Sequence, residues 1–406
     1  MARLMPVALT KPQVRARSKT VSGSRDETID AIRGFALFGI LITNAAVLTG
    51  ILTSDGPVTP LRLWTHDEPV DRLADAIVQA LFSGRFYLLF AFLFGYAFVL
   101  QLAAAERAGA SGMLRMVRRC TALFLLGAAH AALLWVGDIL ALYALLGIAL
   151  LLMQKLSGRA ALFAGTVLYL VFALLALRPT PAASWDERLG VAVMRAGYAG
   201  SPLDTLVAQL SVAPRFVLMT WMGQGMAVLA MFLIGMAAGR FGILQNEQWW
   251  RRRGPAVLWV GLGVGLPISA VTFADTAGVL IAPNAWHGVQ ELINPAMTFA
   301  YVYLLMRWCR ASSWPVAWLV PAGRMAATNY IGQSVMLMLL YSGYGAGIAE
   351  RVSAPLVCLL GVLTFGLQLV FSRWWLARHT YGPVEWMLRV VTYRSARPKK
   401  SAATAR

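Results

Sequence analysis

Long apolar windows are the feature that most restricts how this 406-residue chain can fold. They recur along the sequence, and each approaches the roughly 20 residues that a helix needs to cross about 30 Å of hydrocarbon. Within lipid such a window has to be helical, because a helix satisfies its own backbone hydrogen bonds. The sequence therefore predicts an all-α, polytopic integral membrane protein. We expect about ten transmembrane helices, at residues 29–52, 81–104, 114–136, 139–154, 160–177, 216–239, 255–274, 288–308, 322–342 and 353–376.

Basic residues are distributed unevenly between the two sets of connecting segments, and this asymmetry predicts the orientation. Of the 36 Lys and Arg residues, 27 fall in one set and eight in the other. Because cytoplasmic loops of membrane proteins are enriched in Lys and Arg, both termini are predicted to be cytoplasmic. The formal net charge of +18 arises from these same clusters. We therefore expect no nucleic-acid binding.

Three regions are predicted. Residues 1–28 are expected to form a basic cytoplasmic segment without the pattern of a signal peptide. The transmembrane domain is expected at residues 29–393, and a basic disordered tail at residues 394–406. Longer extracytoplasmic loops are expected near 53–80 and 178–215, the second with a short interfacial helix. No Cys or His cluster has metal-ligand spacing, so no metal is expected.

The first predicted span contains three polar groups in "DAIRGFALFGILITN", residues 30–44. Ionisable groups are costly in lipid, which makes them candidates for function. Asp30 and Arg33 share a helix face, so they either neutralise each other or form the cytoplasmic rim of a site. Asn44 lies about 16 Å beyond Arg33 along the helix axis. It either bonds a neighbouring helix or faces the same site.

The third predicted span contains the sharpest catalytic candidate, His130, deep in an apolar run. An imidazole exchanges a proton near neutral pH, so His130 is a candidate general base, with a plain packing role as the alternative. Asp138 follows at the turn into the next span. It either orients a neighbouring group or caps the turn.

A group of arginines precedes His130 at the cytoplasmic end of the same span: Arg115, Arg118 and Arg119. The fifteen residues from Arg115 to His130 correspond to about 22 Å of helix, which is comparable with the reach of a phosphopantetheine arm. Arginine binds phosphate well. An acyl-coenzyme A could thus leave its phosphates on this group and place its thioester near His130. The alternative is that the three arginines only follow the positive-inside rule and bind no ligand.

The segment "AGRMAATNYIGQS", residues 322–334, begins the ninth span with a dense stripe of polar groups. Arg324 is a further candidate for the coenzyme phosphates, as is Arg33. Asn329, Tyr330 and Gln333 are candidates for substrate contacts, together with Arg85 on the second span. Hydrogen bonding between helices is the alternative for the amides.

Several of these segments carry a family resemblance. They are "DAIRGFALFGILITN", "GRFYLLFAFLFGYAF" at 84–98, the stretch from His130 through Asp138 into "ILALYALLG", "AGRMAATNYIGQS", and "SRWWLARHTYGPVEWMLRVVTY" at 372–393. Together they resemble the YeiB-like family of bacterial inner-membrane proteins, whose C-terminal half is catalogued as domain of unknown function 418. That family is distantly similar to transmembrane acyltransferases such as heparan-α-glucosaminide N-acetyltransferase.

The distant similarity implies a donor, an acceptor and two site residues. The donor would be acyl-CoA, such as acetyl-CoA, on the cytoplasmic side. The acceptor would be a hydroxyl or amine of a glycan, lipid or exported metabolite on the far side. In the acyltransferases a histidine and a first-helix asparagine serve the chemistry. Asn44 matches the asparagine, and His130 or His66 would correspond to the histidine.

The leading hypothesis is therefore an acyltransferase of the bacterial inner membrane. His130 would deprotonate the acceptor, and Asn44 would hold the thioester oxyanion or orient the histidine. A transporter or exporter whose polar path includes His130 or Asp138 is the first alternative. A noncatalytic partner in envelope assembly is the second. The sequence leaves open the acceptor and any association into homo-oligomers.

Overall fold

A computed structural model of the chain describes residues 27–53, 68–178 and 190–393, and over these ranges it is helical, with no β-strand. Most of the predicted N-terminal segment, His66 and the predicted C-terminal tail lie outside these ranges. In chain order the described helices are α1 (Glu27–Thr53), α2 (Pro69–Leu81), α3 (Phe86–Arg107), α4 (Gly112–Leu133), α5 (Leu140–Leu152), α6 (Gly158–Ala176), α7 (Val191–Ala199), α8 (Pro202–Arg240), α9 (Glu247–Thr276), α10 (Trp286–Ala311), α11 (Ser313–Arg324), α12 (Ala326–Tyr341), α13 (Ala354–Leu376) and α14 (Pro383–Tyr393).

Within the described ranges, seven helical segments are long and apolar enough to cross a membrane. They are Glu27–Gly50, Pro69–Arg107, Gly112–Leu133, Gly158–Ala176, Pro202–Arg240, Glu247–Thr276 and Ala354–Leu376. Large apolar side chains project from their outer faces: Phe163 and Trp259 keep 72% and 75% of their surface exposed. This is the pattern of helices whose outer faces contact lipid. The prediction of an all-α polytopic membrane protein is confirmed, while the number of spans and the side of the termini stay predictions.

Helix α10 coincides with the predicted span 288–308 but is not one of these seven segments. It carries the buried polar side chains of Gln290, Glu291 and Asn294 near its N-terminal end. The α5 helix has only 13 residues, or about 20 Å, and is too short to cross 30 Å of hydrocarbon. Neither of these two helices is therefore among the seven apolar segments, although sequence predicts a span at each.

The predicted ninth span, 322–342, corresponds to α12 together with the last three residues of α11. Helix α11 ends at Arg324 and α12 begins at Ala326, with Met325 between them at φ −109° and ψ 33°. The break leaves the first amides of α12 without helical partners, and a carboxylate from the C-terminal helix supplies the acceptor. Because this carboxylate is far away in sequence, the hydropathy pattern does not reveal the break.

Helix α11 lies in a segment that sequence assigns to a cytoplasmic connection, yet it packs closely along α1. A Cβ on Gly323 would overlap the carbonyl oxygen of Asp30, and a Cβ on Gly34 would overlap the carbonyl oxygen of Leu319. The two glycines therefore permit backbone approach without intervening side chains, as small residues do between membrane helices. This crossing places Asp30 and Arg324 at the same end of the bundle.

The predicted extracytoplasmic loop 178–215 is largely helical where it is described. Helix α8 begins at Pro202, fourteen residues before the predicted span, and a reciprocal capping box between Ser201 and Asp204 defines its start. Helix α7 buries Met194 and Tyr198 against the rest of the bundle. It is therefore packed on the bundle, and the interfacial position that sequence periodicity predicts for it stays a prediction.

The connection between α4 and α5 matters most for the site. Helix α4 ends at Leu133, and residues 134–139 are non-helical and largely buried. A Cβ on Gly127 would overlap the backbone nitrogen of Ala141, so the start of α5 lies beside the C-terminal half of α4. Gln209 of α8 donates to the carbonyls of Ala131 and Leu134, both at 3.0 Å. Non-helical backbone at membrane depth is tolerated where protein covers it in this way.

Candidate functional site

A buried imidazole joins a carboxylate and a hydroxyl at the centre of the candidate site. Nδ1 of His130 lies 2.9 Å from Oδ1 of Asp138, and Nε2 lies 2.7 Å from Oγ of Ser334. The three residues retain at most 2% of their surface. With Asp138 ionised and His130 neutral, the carboxylate can only accept, which assigns the hydrogen to Nδ1 and makes Nε2 the acceptor for the hydroxyl of Ser334. The arrangement can take up a proton at Nε2 and stabilise the resulting imidazolium.

Asp138 performs both of the roles that sequence left as alternatives. Its Oδ1 contacts His130, while its Oδ2 accepts from the backbone nitrogen of Ala141 at 2.7 Å and so caps the start of α5. Eight residues would separate the two side chains by about 12 Å on a continuous helix. They meet because α4 ends at Leu133 and the chain turns back. The capped turn therefore fixes the carboxylate against the imidazole.

A cavity of about 610 Å³ opens among α1, α3, α4, α5, α11, α12 and α14. Two carboxylates, Asp30 and Glu385, and five arginines line it. The arginines are Arg33, Arg107, Arg119, Arg324 and Arg389. The lining also includes Phe90 and Arg107, which are separated on α3 by about 25 Å. The cavity therefore extends from the predicted cytoplasmic helix ends far into the bundle.

The positive charge of this cavity exceeds what its carboxylates neutralise. Nη1 of Arg33 donates to Asp30 at 2.8 Å, and Glu385 accepts backbone amides. The Nε atoms of Arg324 and Arg389 are buried, and neither has a hydrogen-bond partner among the described residues. Buried donors without protein partners are uncommon in native proteins, so these two Nε atoms are available to a ligand that accepts hydrogen bonds. An anion is the chemically matched occupant.

The C-terminal helix α14 closes one side of the cavity. Oε1 of Glu385 accepts from the backbone nitrogens of Ala327 and Thr328 at 2.6 and 3.1 Å, and Oε2 accepts from Oγ1 of Thr328 at 2.6 Å. A carboxylate at a helix N-terminus is also favoured by the helix dipole. Arg389 lies over the rings of Tyr381 and Tyr393, at 4.9 and 4.7 Å from their centroids. These contacts hold a guanidinium at the cavity wall.

Tyr330 connects the cavity with the buried triad. It lines the cavity, and the centroid of its ring lies 5.1 Å from that of His130. Its hydroxyl accepts from the backbone nitrogen of Ile139 at 3.4 Å, next to Asp138. The cavity thus reaches within one side chain of the imidazole.

The structure brings some of the predicted site residues together at the cavity. Arg33, Arg119, Arg324 and Tyr330 line it. Arg115 contacts it indirectly, with its guanidinium 5.0 Å from the ring centroid of Tyr393. Arg118 is half-buried on α4 and does not contribute to the lining.

The remaining predicted residues lie elsewhere. Nδ2 of Asn329 donates to Ser372 of α13 at 2.9 Å, and Nε2 of Gln333 donates to the carbonyl of Leu37 at 3.1 Å, so both amides join helices. Arg85 is buried at the opposite end of α3 from Arg107, where it donates to Ser269 at 2.8 Å and to the carbonyl of Ala80. These contacts are the interhelical bonds that sequence offered as the alternative for the amides.

The side chain of Asn44 makes no hydrogen bond to His130. Its side chain is half-buried on α1 and makes no hydrogen bond within the described part of the chain. It is also not part of the cavity lining. Its predicted catalytic role depends on the family resemblance alone.

Sequence reasoning missed Ser334, Arg107 and Arg389. Ser334 lies four residues after Tyr330 and therefore shares its helix face, which is the one signal that could have identified it. A single serine in a membrane helix is a weak signal, because serine hydroxyls commonly bond their own helix backbone. Arg107 and Arg389 lie at predicted cytoplasmic helix ends, where the positive-inside rule already explains basic residues. Their sequence positions alone therefore do not indicate a ligand.

The fold and site together define a polytopic helical membrane protein with a basic cavity adjoining a buried histidine–aspartate pair. Residues 238–395 match the family described as "Protein of unknown function (DUF418)". The chain is 29% identical over 410 residues to the uncharacterized protein YxaH of Bacillus subtilis (strain 168), covering 93% of this chain and 97% of that protein. It is 28% identical over 409 residues to the uncharacterized protein YeiB of Escherichia coli (strain K12), covering 92% and 98%. The chain is therefore similar to these YeiB-like proteins over most of its length. No solved structure matches it.

Proposed function

We propose that the chain is an acyltransferase of the bacterial inner membrane. It would move an acetyl or short acyl group from cytoplasmic acyl-CoA to a glycan, lipid or exported metabolite on the far side. The observation that carries the proposal is the arginine-lined cavity whose wall includes Tyr330, since the ring of Tyr330 lies beside that of His130. The arginines of this cavity suit a polyanion, and Tyr330 places the cavity beside His130, whose imidazole can accept and donate a proton.

The chemistry of coenzyme A matches both ends of the cavity. Its phosphates would be bound by Arg324 and Arg389, which have unpaired Nε donors, and by Arg33 and Arg119. The pantetheine arm would run along the aromatic wall formed by Phe94 and Tyr143. The cavity's extent of about 25 Å along α3 is comparable with the length of that arm. The thioester would then arrive beside Tyr330.

His130 would act as the proton acceptor during transfer. Asp138 would hold the Nδ1 hydrogen, so that Nε2, which lies 2.7 Å from Oγ of Ser334, is the nitrogen that would receive a proton from a hydroxyl. The carboxylate would stabilise the imidazolium formed in the transition state. Asn44 enters this proposal through the resemblance to acyltransferases, as the candidate donor to the thioester oxyanion.

The proposal is tested with the full chain reconstituted in lipid nanodiscs. Binding of acetyl-CoA is followed by calorimetry at low salt, and consumption of acetyl-CoA by release of the free thiol in the presence of membrane lipids and glycans. We expect binding by both wild type and His130→Gln, with thiol release lost in the variant. His287→Gln is the matched control, because that histidine lies at the start of α10, outside the cavity lining.

The outcomes separate binding from chemistry. Absence of acetyl-CoA binding by the wild type would overturn the proposal. Thiol release at the wild-type rate by a correctly folded His130→Gln would remove His130 from the chemistry. Loss of release in both histidine variants would indicate general damage and contradict the assignment.

A transporter is the second candidate, and the interrupted helices favour it. Non-helical backbone at residues 134–139 and the break at Met325 resemble the discontinuous helices that line substrate sites in transporters. Proteoliposomes loaded with acetyl-CoA or CoA distinguish the two candidates. Movement of the intact molecule across the bilayer would support a transporter. Release of CoA on the loaded side with a labelled acyl group outside would support the acyltransferase.

A further inference from the structure

We infer that Ser334 is the nucleophile that first receives the acyl group, so that transfer proceeds through an acyl-serine. The inference rests on the proposed function, because it takes acyl-CoA as the occupant of the cavity. It adds a covalent step and a residue that the family resemblance does not supply. The hydrogen-bonded order hydroxyl, imidazole, carboxylate is the observation behind it.

The hydroxyl of Ser334 has two hydrogen-bond partners, and the imidazole is the nearer one. Its Oγ lies 2.7 Å from Nε2 of His130, whereas the distance to the carbonyl of Tyr330, one turn back, is 3.5 Å. Ser342 on the following turns shows the usual behaviour, with its hydroxyl 2.8 Å from the carbonyl of Met338. Ser334 therefore gives its hydrogen to the group best able to remove it.

The surroundings of the triad strengthen the attraction between the Asp138 carboxylate and an imidazolium formed on His130. All three side chains are withdrawn from solvent, and electrostatic interactions are strengthened where water is excluded. Gly127 leaves the space that Asp138 occupies, since a Cβ there would lie 2.7 Å from Oδ2. The carboxylate is therefore fixed before any ligand arrives, as a preorganised catalytic group requires.

Ser334 is also within reach of the cavity. It lies four residues beyond Tyr330 on α12, which corresponds to about 6 Å along the helix axis. Tyr330 is the cavity residue that contacts His130. A thioester that passes the Tyr330 ring would therefore meet the Ser334 hydroxyl and Nε2 of His130 together.

The first half-reaction transfers the acyl group to the protein. Oγ of Ser334 attacks the thioester carbonyl carbon, and its proton passes to Nε2 of His130. The tetrahedral intermediate collapses as the C–S bond breaks, and the departing thiolate takes the proton from His130. The products are an ester on Ser334, neutral His130 and free CoA with its thiol restored.

The second half-reaction regenerates the serine. An acceptor hydroxyl or amine gives its proton to Nε2 of His130 and attacks the ester carbonyl. The C–O bond to Ser334 breaks, and Oγ recovers the proton from His130. An acyl-serine within the bundle lets CoA leave on one side before the acceptor arrives from the other, so the two large substrates need not occupy the site together.

Acyl-enzyme trapping tests the inference with the full chain in nanodiscs. The protein is mixed with acetyl-CoA without acceptor, quenched in acid within the first turnover, and analysed by intact and peptide mass spectrometry. We expect one acetyl group per chain on the peptide that contains Ser334. Ser334→Ala and His130→Gln should lose it, and Ser334→Cys should carry it as a thioester.

Ser342→Ala is the matched control, because it removes another buried hydroxyl from the end of the same helix. It should retain full acetylation. Wild-type protein that binds and consumes acetyl-CoA without acetylating Ser334 would overturn the inference and leave the proposed function intact. Undiminished thiol release by Ser334→Ala would also overturn the inference and leave the proposed function intact. A chain that binds no acetyl-CoA would overturn both.

Discussion

Nδ1 of His130 lies 2.9 Å from Oδ1 of Asp138, although eight residues separate them in the chain. The contact exists because α4 ends at Leu133 and the following non-helical residues return beside Gly127. A polar pair that depends on a backbone turn inside a helical bundle is sensitive to small changes in that turn. The site can therefore be tested by substitutions in the turn between α4 and α5 as well as by substitutions of His130 and Asp138.

Asp138→Asn should lower acyl transfer by about 10³- to 10⁴-fold without weakening acetyl-CoA binding. An amide no longer fixes the imidazole tautomer or stabilises the imidazolium, and losses of this size follow neutralisation of a triad carboxylate. Single-turnover thiol release and calorimetry measure the two effects. Asp275→Asn is the control, because Asp275 likewise accepts a backbone amide, from Ala282 at 2.8 Å, but lies outside the cavity lining. Equal loss in both variants would contradict the role of Asp138.

Gly127→Ala should destabilise the fold by about 1–3 kcal/mol, the usual effect of overpacking. Its new methyl group would overlap the backbone of Ala141 and press on Asp138. Thermal unfolding in detergent measures the change. Gly263→Ala is the matched substitution, since a Cβ there meets nothing within 4 Å, and its effect should stay within about 0.5 kcal/mol. Equal stability of the two variants would contradict the close approach of α5 to α4.

Arg389→Gln should weaken acetyl-CoA binding by about 10- to 100-fold, since hydrogen bonds to charged groups contribute about 1.5–3 kcal/mol. Arg324→Gln should act similarly, because both guanidinium groups have a buried unpaired Nε. Titration calorimetry at low salt gives the affinities. Arg251→Gln is the control, since Arg251 is exposed and pairs with Glu247 at 3.2 Å. Unchanged affinity in both cavity variants would place the anion elsewhere.

Glu385→Ala should loosen the start of α12 and cost about 1 kcal/mol, the usual effect of losing a helix cap. The amides of Ala327 and Thr328 lose their acceptor, so their hydrogen exchange should accelerate. Mass-spectrometric exchange resolves this peptide. Glu247→Ala removes an exposed carboxylate from the first turn of α9 and should leave exchange at α12 unchanged. Unaltered protection in Glu385→Ala would mean that α14 does not cap α12.

Sequence patterns predicted the class of fold well, because helix formation in lipid depends on long apolar windows that are visible locally. The breaks were not predictable in the same way. The one at Met325 depends on Glu385, some 60 residues downstream, and the one after Leu133 depends on Gln209 of α8. Such interruptions are stabilised by distant polar groups, which hydropathy averages over a window do not register.

The candidate site was predictable in part. His130 is conspicuous because a lone histidine in an apolar run is costly without a partner. Its partners, Asp138 and Ser334, meet it only through the turn after α4 and the crossing of α12. Asn329 and Gln333 were also conspicuous in the sequence, but their amides join helices and do not line the cavity. The spacing of polar residues on one helix does not tell which neighbour the side chains will contact.

A cryo-electron microscopy map of the full chain with a non-hydrolysable thioether analogue of acetyl-CoA tests the central claim most directly. We predict density for the nucleotide phosphates beside Arg324 and Arg389, with the pantetheine arm running inward and the acyl end next to Tyr330. A cavity that is filled by a lipid chain at saturating analogue, or an analogue bound away from these arginines, would contradict it.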